Sequence, residues 1–189
     1  MIPAALIGTG LVVAYAVTRG PTNLVSVKSN RTNQSYQVQN LPDKQDACEF
    51  MANIQDKIKT LIDKYKSDPN TSSDPRVRTM IERFRPENIC ENDINTDSTS
   101  YSENKGEKIV ICLRSKEKPY PLADENTVMF VVLHELAHLM TTTIGHTPEF
   151  WANFRRMLND AVGAGIYQNV NYSRSPVSYC GMTITDSPL

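Results

Sequence analysis

The sequence predicts an α+β domain with a central buried helix, an adjoining short β-sheet and an N-terminal transmembrane helix. Three observations carry that expectation. Residues 127–140, TVMFVVLHELAHLM, are apolar almost all round, the pattern of a helix enclosed by a core. Residues 108–114, KIVICLR, form a β-branched run of strand length. Residues 2–17 carry no charge at the head of the chain. A length of 189 residues suits one core with an appendage.

In chain order, the uncharged run is at the short end for a spanning helix, which needs about 20 residues. Ala14-Tyr15-Ala16 resembles a signal-peptide cleavage site, but the cationic segment that should precede it is missing. A segment packed in the core or against a partner is the other alternative. The favoured division is a transmembrane anchor over 1–19, a linker over 20–41 and a folded domain over 42–189. Arg19, Lys28 and Arg31 follow the run, which places the body on the cytosolic side of a bilayer. Glycosylation sequons at Asn30, Asn33, Asn70 and Asn171 argue for the opposite side.

Residues 20–40 are polar and read as a linker with one or two extended stretches. A strong amphipathic helix follows. Asp43 and Asp46 sit in its first turn, and Ala47, Phe50, Met51, Ile54, Ile58, Leu61, Ile62 and Tyr65 recur at helical spacing. Residues 67–75 are a turn, and a short helix spans 76–84. Residues 91–106 are acidic and polar, and lack the D-x-D-x-D-G pattern of a calcium loop. Asp124 or Asn126 caps the apolar helix. TTTIG breaks it, and Thr147 caps a last helix with Pro148 in its first turn. Phe150, Phe154, Met157, Leu158 and Ala161 mark that helix's buried side. The tail from Ile166 to Ile184 reads as extended.

Net charge is −1 with a pI of about 6.3, so the chain lacks the basic footprint of a nucleic-acid binder. Cys48, Cys90, Cys112 and Cys180 show no C-x-x-C spacing, which disfavours a zinc ribbon or dithiol redox site. They are buried thiols or one or two long-range disulfides.

All three histidines fall in one stretch, HELAHLMTTTIGHTPEFW. Residues four apart share a helix face, so His134 and His138 present two imidazoles to one Zn²⁺ at about 2.0–2.1 Å each. Glu135, one residue on, reaches beside the metal without ligating it and can take a proton from a zinc-activated water. His146 is the third ligand, because residues 141–145 let the chain turn back. The competing reading is a buried polar helix with hydrogen-bonded histidines. It leaves three imidazoles and a carboxylate among VMFVVL and LM without partners, which is costly.

HELAH followed by G-H-x-P-E-F resembles the small zincin metallopeptidases of the SprT-like and WLM type. The matching positions are His134, Glu135, His138, Gly145, His146, Pro148, Glu149, Phe150 and Trp151. The resemblance covers roughly residues 108–160 and implies a zincin-like metallopeptidase domain, a single zinc ion on the three histidines, Glu135 as general base and a polypeptide substrate. SprT-like proteases acting on DNA-bound substrates often carry a zinc ribbon and basic regions. Both are missing here, so a role on nucleic acid does not carry over. The anchor and the N-Y-x-x-x-P-V-x-Y-C-G tail also look like proteins of large DNA viruses.

Around this site, Glu149 is either a partner for the second N–H of a ligand imidazole or a first-turn charge favoured by the helix dipole. Tyr167, Tyr172 and Tyr179 are packing residues or, on the other reading, donors to an oxyanion. Trp151 reads as core. Three functions compete: a membrane-anchored zinc metalloendopeptidase, a structural membrane or virion protein of minor capsid type that retains a zincin fold, and a free-standing zinc-binding module without hydrolysis. Expected partners are a polypeptide substrate, the bilayer and neighbouring proteins of a membrane or capsid assembly.

Overall fold

A computed structural model describes residues 23–104 and 106–189. The expected anchor, residues 1–19, lies outside them. Among the described residues no helix is long and apolar enough to cross a membrane.

The chain opens with a hairpin, β1 (Leu24–Lys28) and β2 (Ser35–Gln39), paired from Leu24↔Gln39 to Lys28↔Ser35. The one or two extended stretches expected within 20–41 are these two strands, though they belong to the folded domain and not to a linker. Tyr36 and Val38 of β2 point into the core at 3% and 0% exposure, so the segment is an integral part of the sheet. Its alternation of buried and exposed residues spans only five positions, too few to stand out in a polar stretch. Helix α1 (Lys44–Ser67) then lays its predicted stripe against β1 and β2. A one-turn helix α2 (Pro69–Ser72) and helix α3 (Pro75–Arg83) follow. Each begins with an aspartate, Asp68 or Asp74, whose carboxylate accepts from the N–H two residues on, followed by a proline.

Strands β3 (Ile89–Glu91), β4 (Tyr101–Glu103) and β5 (Lys108–Ile111) complete a five-stranded sheet in the order β1-β2-β3-β5-β4. The pairs β2·β3 and β3·β5 are parallel, whereas β4 runs antiparallel to β5 and forms the sheet's edge. The sequence hides β4 inside its polar loop, because Tyr101, Ser102 and Glu103 are all only half-buried and show no alternation. Gly106, between β4 and β5, has φ +103°, and an added Cβ would stand 2.7 Å from Leu139 Cδ2 and 2.9 Å from the Arg83 carbonyl oxygen. Only glycine lets this turn press so closely on the next helix.

That helix, α4 (Glu125–Met140), starts at Asp124, which accepts from the Thr127 N–H and hydroxyl at 2.8 and 2.9 Å. Asn126, the other cap considered, instead exchanges two bonds with the Gln168 backbone. Residues Val128, Met129, Val132, Leu133, Leu136, Ala137, Leu139 and Met140 are fully buried. At about 1.5–3 kcal/mol for each large side chain, this helix is a main anchor of the core. Helix α5 (Pro148–Gly163), capped by Thr147, packs on α4 through Phe150, Phe154, Met157 and Leu158. The tail ends in a separate hairpin, β6 (Val177–Tyr179) with β7 (Met182–Ile184).

Two covalent or ionic ties cross the fold. Cys112 and Cys180 form a disulfide, while Cys48 and Cys90 are buried outside it. Arg114, 2% exposed, donates to Glu91, itself 1% exposed, at 2.8 Å, and to Asp43 at 2.6 Å. Glu91 also accepts from the Gln39 N–H at 2.7 Å, so one buried ion pair joins β2, β3 and the chain after β5.

Candidate metal centre and cleft

Helical spacing stacks His134 and His138 on one face of α4. The Thr141–Thr147 loop then returns the chain, with Gly145 at φ +83°, so that His146 comes to the same point. The Nε2 atom of His134 lies 3.2 Å from that of His138 and 3.0 Å from that of His146. Two ligands of a tetrahedral ion at 2.0–2.1 Å would stand about 3.3 Å apart. The spacing therefore fits one zinc ion, and the donor set of three imidazoles is the one zinc takes in open sites.

Burial, and then the neighbouring imidazoles, push His134 down to about 3. Burial and then His146 push His138 down to about 4. Both rings are therefore neutral near pH 7, with lone pairs available to a cation. Phe150 braces them. It stacks on His138 at 4.3 Å between centroids and meets His134 edge-on at 4.8 Å. Trp151 corrects its expected place in the core: it is 45% exposed and lies 5.7 Å from the His146 ring.

The ligand loop is fastened from α5. Glu149 accepts from the N–H and hydroxyl of Thr142 at 3.0 Å each, and from the hydroxyl of Thr143 at 2.9 Å. The backbone bond from Thr142, followed by those of Thr143, holds the Glu149 carboxyl down at about 2. Of the two roles considered, it takes that of a first-turn charge of α5, with the ligand loop and not an imidazole as its partner. Asn153, fully buried, donates to the Thr141 hydroxyl at 3.1 Å and accepts from Arg76 at 3.2 Å.

Glu135 is 7% exposed beside the histidines. Burial pushes its carboxyl up to about 7, opposed by hydrogen bonds from the side chain and backbone of Ser102 on β4. Glu135 and all three histidines line a cleft of about 830 Å³. One wall is β4 with the residues before it, and the other is the β6–β7 hairpin with Asp186. Of the three tyrosines considered as oxyanion donors, Tyr179 alone lines this cleft. Its hydroxyl donates to the Cys112 carbonyl oxygen at 2.7 Å and lies 2.8 Å from Ser100 Oγ, so its proton is already engaged. Tyr167 and Tyr172 pack instead on Phe130, at 6.1 and 4.8 Å between ring centroids. Ser102 and Ser100 were not singled out from sequence, since nothing marks a serine in a polar loop as facing a buried carboxylate.

An α+β fold with a buried H-E-x-x-H helix and a third histidine after a short loop is that of the zincin-type metallopeptidases. More narrowly, the chain belongs to the WLM family, whose domain matches residues 30–173. The family is one of zinc-dependent, Wss1-like metallopeptidases. An uncharacterized protein of Acanthamoeba polyphaga mimivirus is 32% identical over 188 residues, covering 98% of this chain and 95% of its own length. A second, from Invertebrate iridescent virus 3, is 41% identical over 90 residues, covering 46% of this chain and 52% of that one. The crystal structure of Wss1 from Saccharomyces cerevisiae superposes with a TM-score of 0.52 at 19% identity, over 68% of this chain and 86% of that one. That likeness speaks for the fold.

Proposed function

We propose that the protein is a zinc-dependent metalloendopeptidase that cleaves polypeptide chains lying in the 830 Å³ cleft. The observation that carries this reading is the convergence of three imidazoles on one point beside a buried carboxylate that is not needed as a ligand. His134, His138 and His146 would hold the ion. When bound, zinc supplies a Lewis acid that lets water lose a proton near neutral pH.

The remaining work falls to the chain's own groups. Glu135 accepts the proton of the attacking water, and its carboxyl, pushed up to about 7, suits a group that both takes and returns a proton. It then delivers that proton to the leaving amine nitrogen. Ser102 holds the carboxylate toward the cleft, and β4, at the sheet edge, offers an extended chain a wall to lie along. The uncharged run from Ile2 to Val17 supports a membrane anchor for this enzyme, with the bilayer as its second partner.

The test is Glu135→Gln in zinc-loaded protein with an unfolded polypeptide as substrate. General-base loss should lower the rate by about 10²–10⁴-fold, with bound zinc unchanged by elemental analysis. Equal rates in the variant and the parent would refute the assignment.

A further inference from the structure

The two walls of the cleft differ in how they are held. β4 is hydrogen-bonded along β5, whereas among the described residues β6 and β7 pair only with each other. A lone two-stranded hairpin is marginal in water, so something else must fix this one. Its turn is Cys180-Gly181, with φ of +51° and +78°, the left-handed pair of a type I′ turn. Asparagine is the usual first residue there, and a cysteine has no conformational reason to occupy it. What the cysteine supplies is the disulfide to Cys112, directly after β5.

Tyr179, one residue earlier and 2% exposed, adds a closed circuit of hydrogen bonds. Its hydroxyl donates to the Cys112 carbonyl oxygen and meets Ser100 Oγ, which accepts from the Cys112 N–H at 2.9 Å. Three segments are thereby locked at one point: the approach to β4, the end of β5 and the hairpin. Beyond the lock, Met182, Thr183 and Ile184 line the cleft. Met182 is 48% exposed, and Ile144, on the ligand loop, is 89% exposed at the same cleft. Phe130 and Val131 line it as well.

We infer that the Cys112–Cys180 disulfide and Tyr179 are positioning residues that hold the β6–β7 hairpin as the second substrate wall, and that Met182 on this wall receives an apolar side chain of an extended polypeptide. The nature of what is bound rests on the peptidase reading; the stapling of the hairpin does not. Apolar side chains left exposed on a cleft beside a reactive centre gain by being covered when a chain enters. A disulfide closing a long loop also stabilises the whole domain, so loss of stability alone would not separate a wall from a general brace.

The experiment compares zinc-loaded parent, Cys112→Ser/Cys180→Ser, Tyr179→Phe and Met182→Asp. It reads steady-state hydrolysis of an unfolded polypeptide and hydrogen exchange of backbone amides. In the double variant, amides of residues 177–184 should lose protection while those of α4 keep theirs. KM should rise about tenfold or more with kcat within about threefold, the signature of lost binding shared by ground and transition states. Tyr179→Phe should move both readouts the same way by less. Met182→Asp, on an exposed position, should raise KM without changing zinc content or thermal midpoint.

Hairpin amides as protected in the double variant as in the parent would overturn the staple. An unchanged KM in both the double variant and Met182→Asp would overturn the wall. If the double variant does not fold, Tyr179→Phe and Met182→Asp decide on the same criteria. A zinc-loaded parent that hydrolyses nothing would instead defeat the peptidase reading, and hydrogen exchange would still decide the staple.

Discussion

Asn153→Ala tests how α5 holds the start of the ligand loop. The amide is fully buried, donating to Thr141 Oγ1 and accepting from Arg76 Nη1. Neither partner is orphaned by its loss. The Thr141 hydroxyl still donates to the Ala137 carbonyl oxygen at 2.7 Å, and Arg76 still reaches Asp74 at 2.7 and 3.1 Å. The cost is therefore two net hydrogen bonds of about 1 kcal/mol each, plus a small cavity term, or about 2–3 kcal/mol in all. In a domain of this size each kcal/mol moves the melting midpoint by about 2–4 °C, so a drop of about 5–10 °C is expected. Calorimetry should be done on metal-free protein, since a ligand that binds only the folded state would mask the change. Thr141→Val and the double variant complete a cycle, with a coupling of about 1 kcal/mol expected between residues in direct contact. A midpoint within 1 °C of the parent, or additive single effects, would refute the reasoning.

Two further predictions concern charge. Arg114→Met should cost about 3–5 kcal/mol in urea unfolding because it strands Glu91, whereas Glu91→Leu with Arg114→Met should recover only part of that loss, since the buried Gln39 N–H is left unpaired at about 1–3 kcal/mol; singles that each cost under about 1 kcal/mol would show that the pair is not truly desolvated. Glu149 has its carboxyl depressed from 4.5 to about 2, so its stabilising contribution is complete above the unfolded value and disappears as pH falls through the folded one. The difference in thermal midpoint between the parent and Glu149→Gln should therefore be constant above about pH 5 and vanish toward pH 2; a difference that persists at pH 2 would contradict the loop bonds as its source.

What the sequence disclosed follows from how strongly each element depends on pattern. The stripe of α1 and the all-apolar α4 span many residues, so their periods are unmistakable, and the H-E-x-x-H spacing places the first two histidines by helix geometry alone. Asp124 and Thr147 were readable as caps because capping is local chemistry. β1 and β2 were readable only as one or two extended stretches and β4 not at all, since each run is short and sits in a largely polar segment. Glu149 was readable as a first-turn charge of α5, but its tie to the ligand loop was not, because only the folded loop brings the Thr142 and Thr143 amides to it. Trp151 looked like core by residue type, yet its place in the first turn of α5 turns it toward His146 and solvent. The pairing of Cys112 with Cys180 was one of several connectivities that spacing could not separate.

The histidine segment lines this cleft through Phe130, Val131 and Thr143–Gly145, but its two facing walls come from other parts of the chain. His134, Glu135, His138 and His146 occupy thirteen consecutive positions on α4 and the loop after it, braced by α5. Those walls are residues 99–102 with Asn104 on one side and Tyr179 with residues 182–186 on the other. On the peptidase reading, substitutions in the tail hairpin alter no residue of the reactive centre, so they would change the choice of target and leave the chemistry intact. On that reading the chemistry sits in one short cassette, and the choice of target is divided between a segment before it and a segment after it.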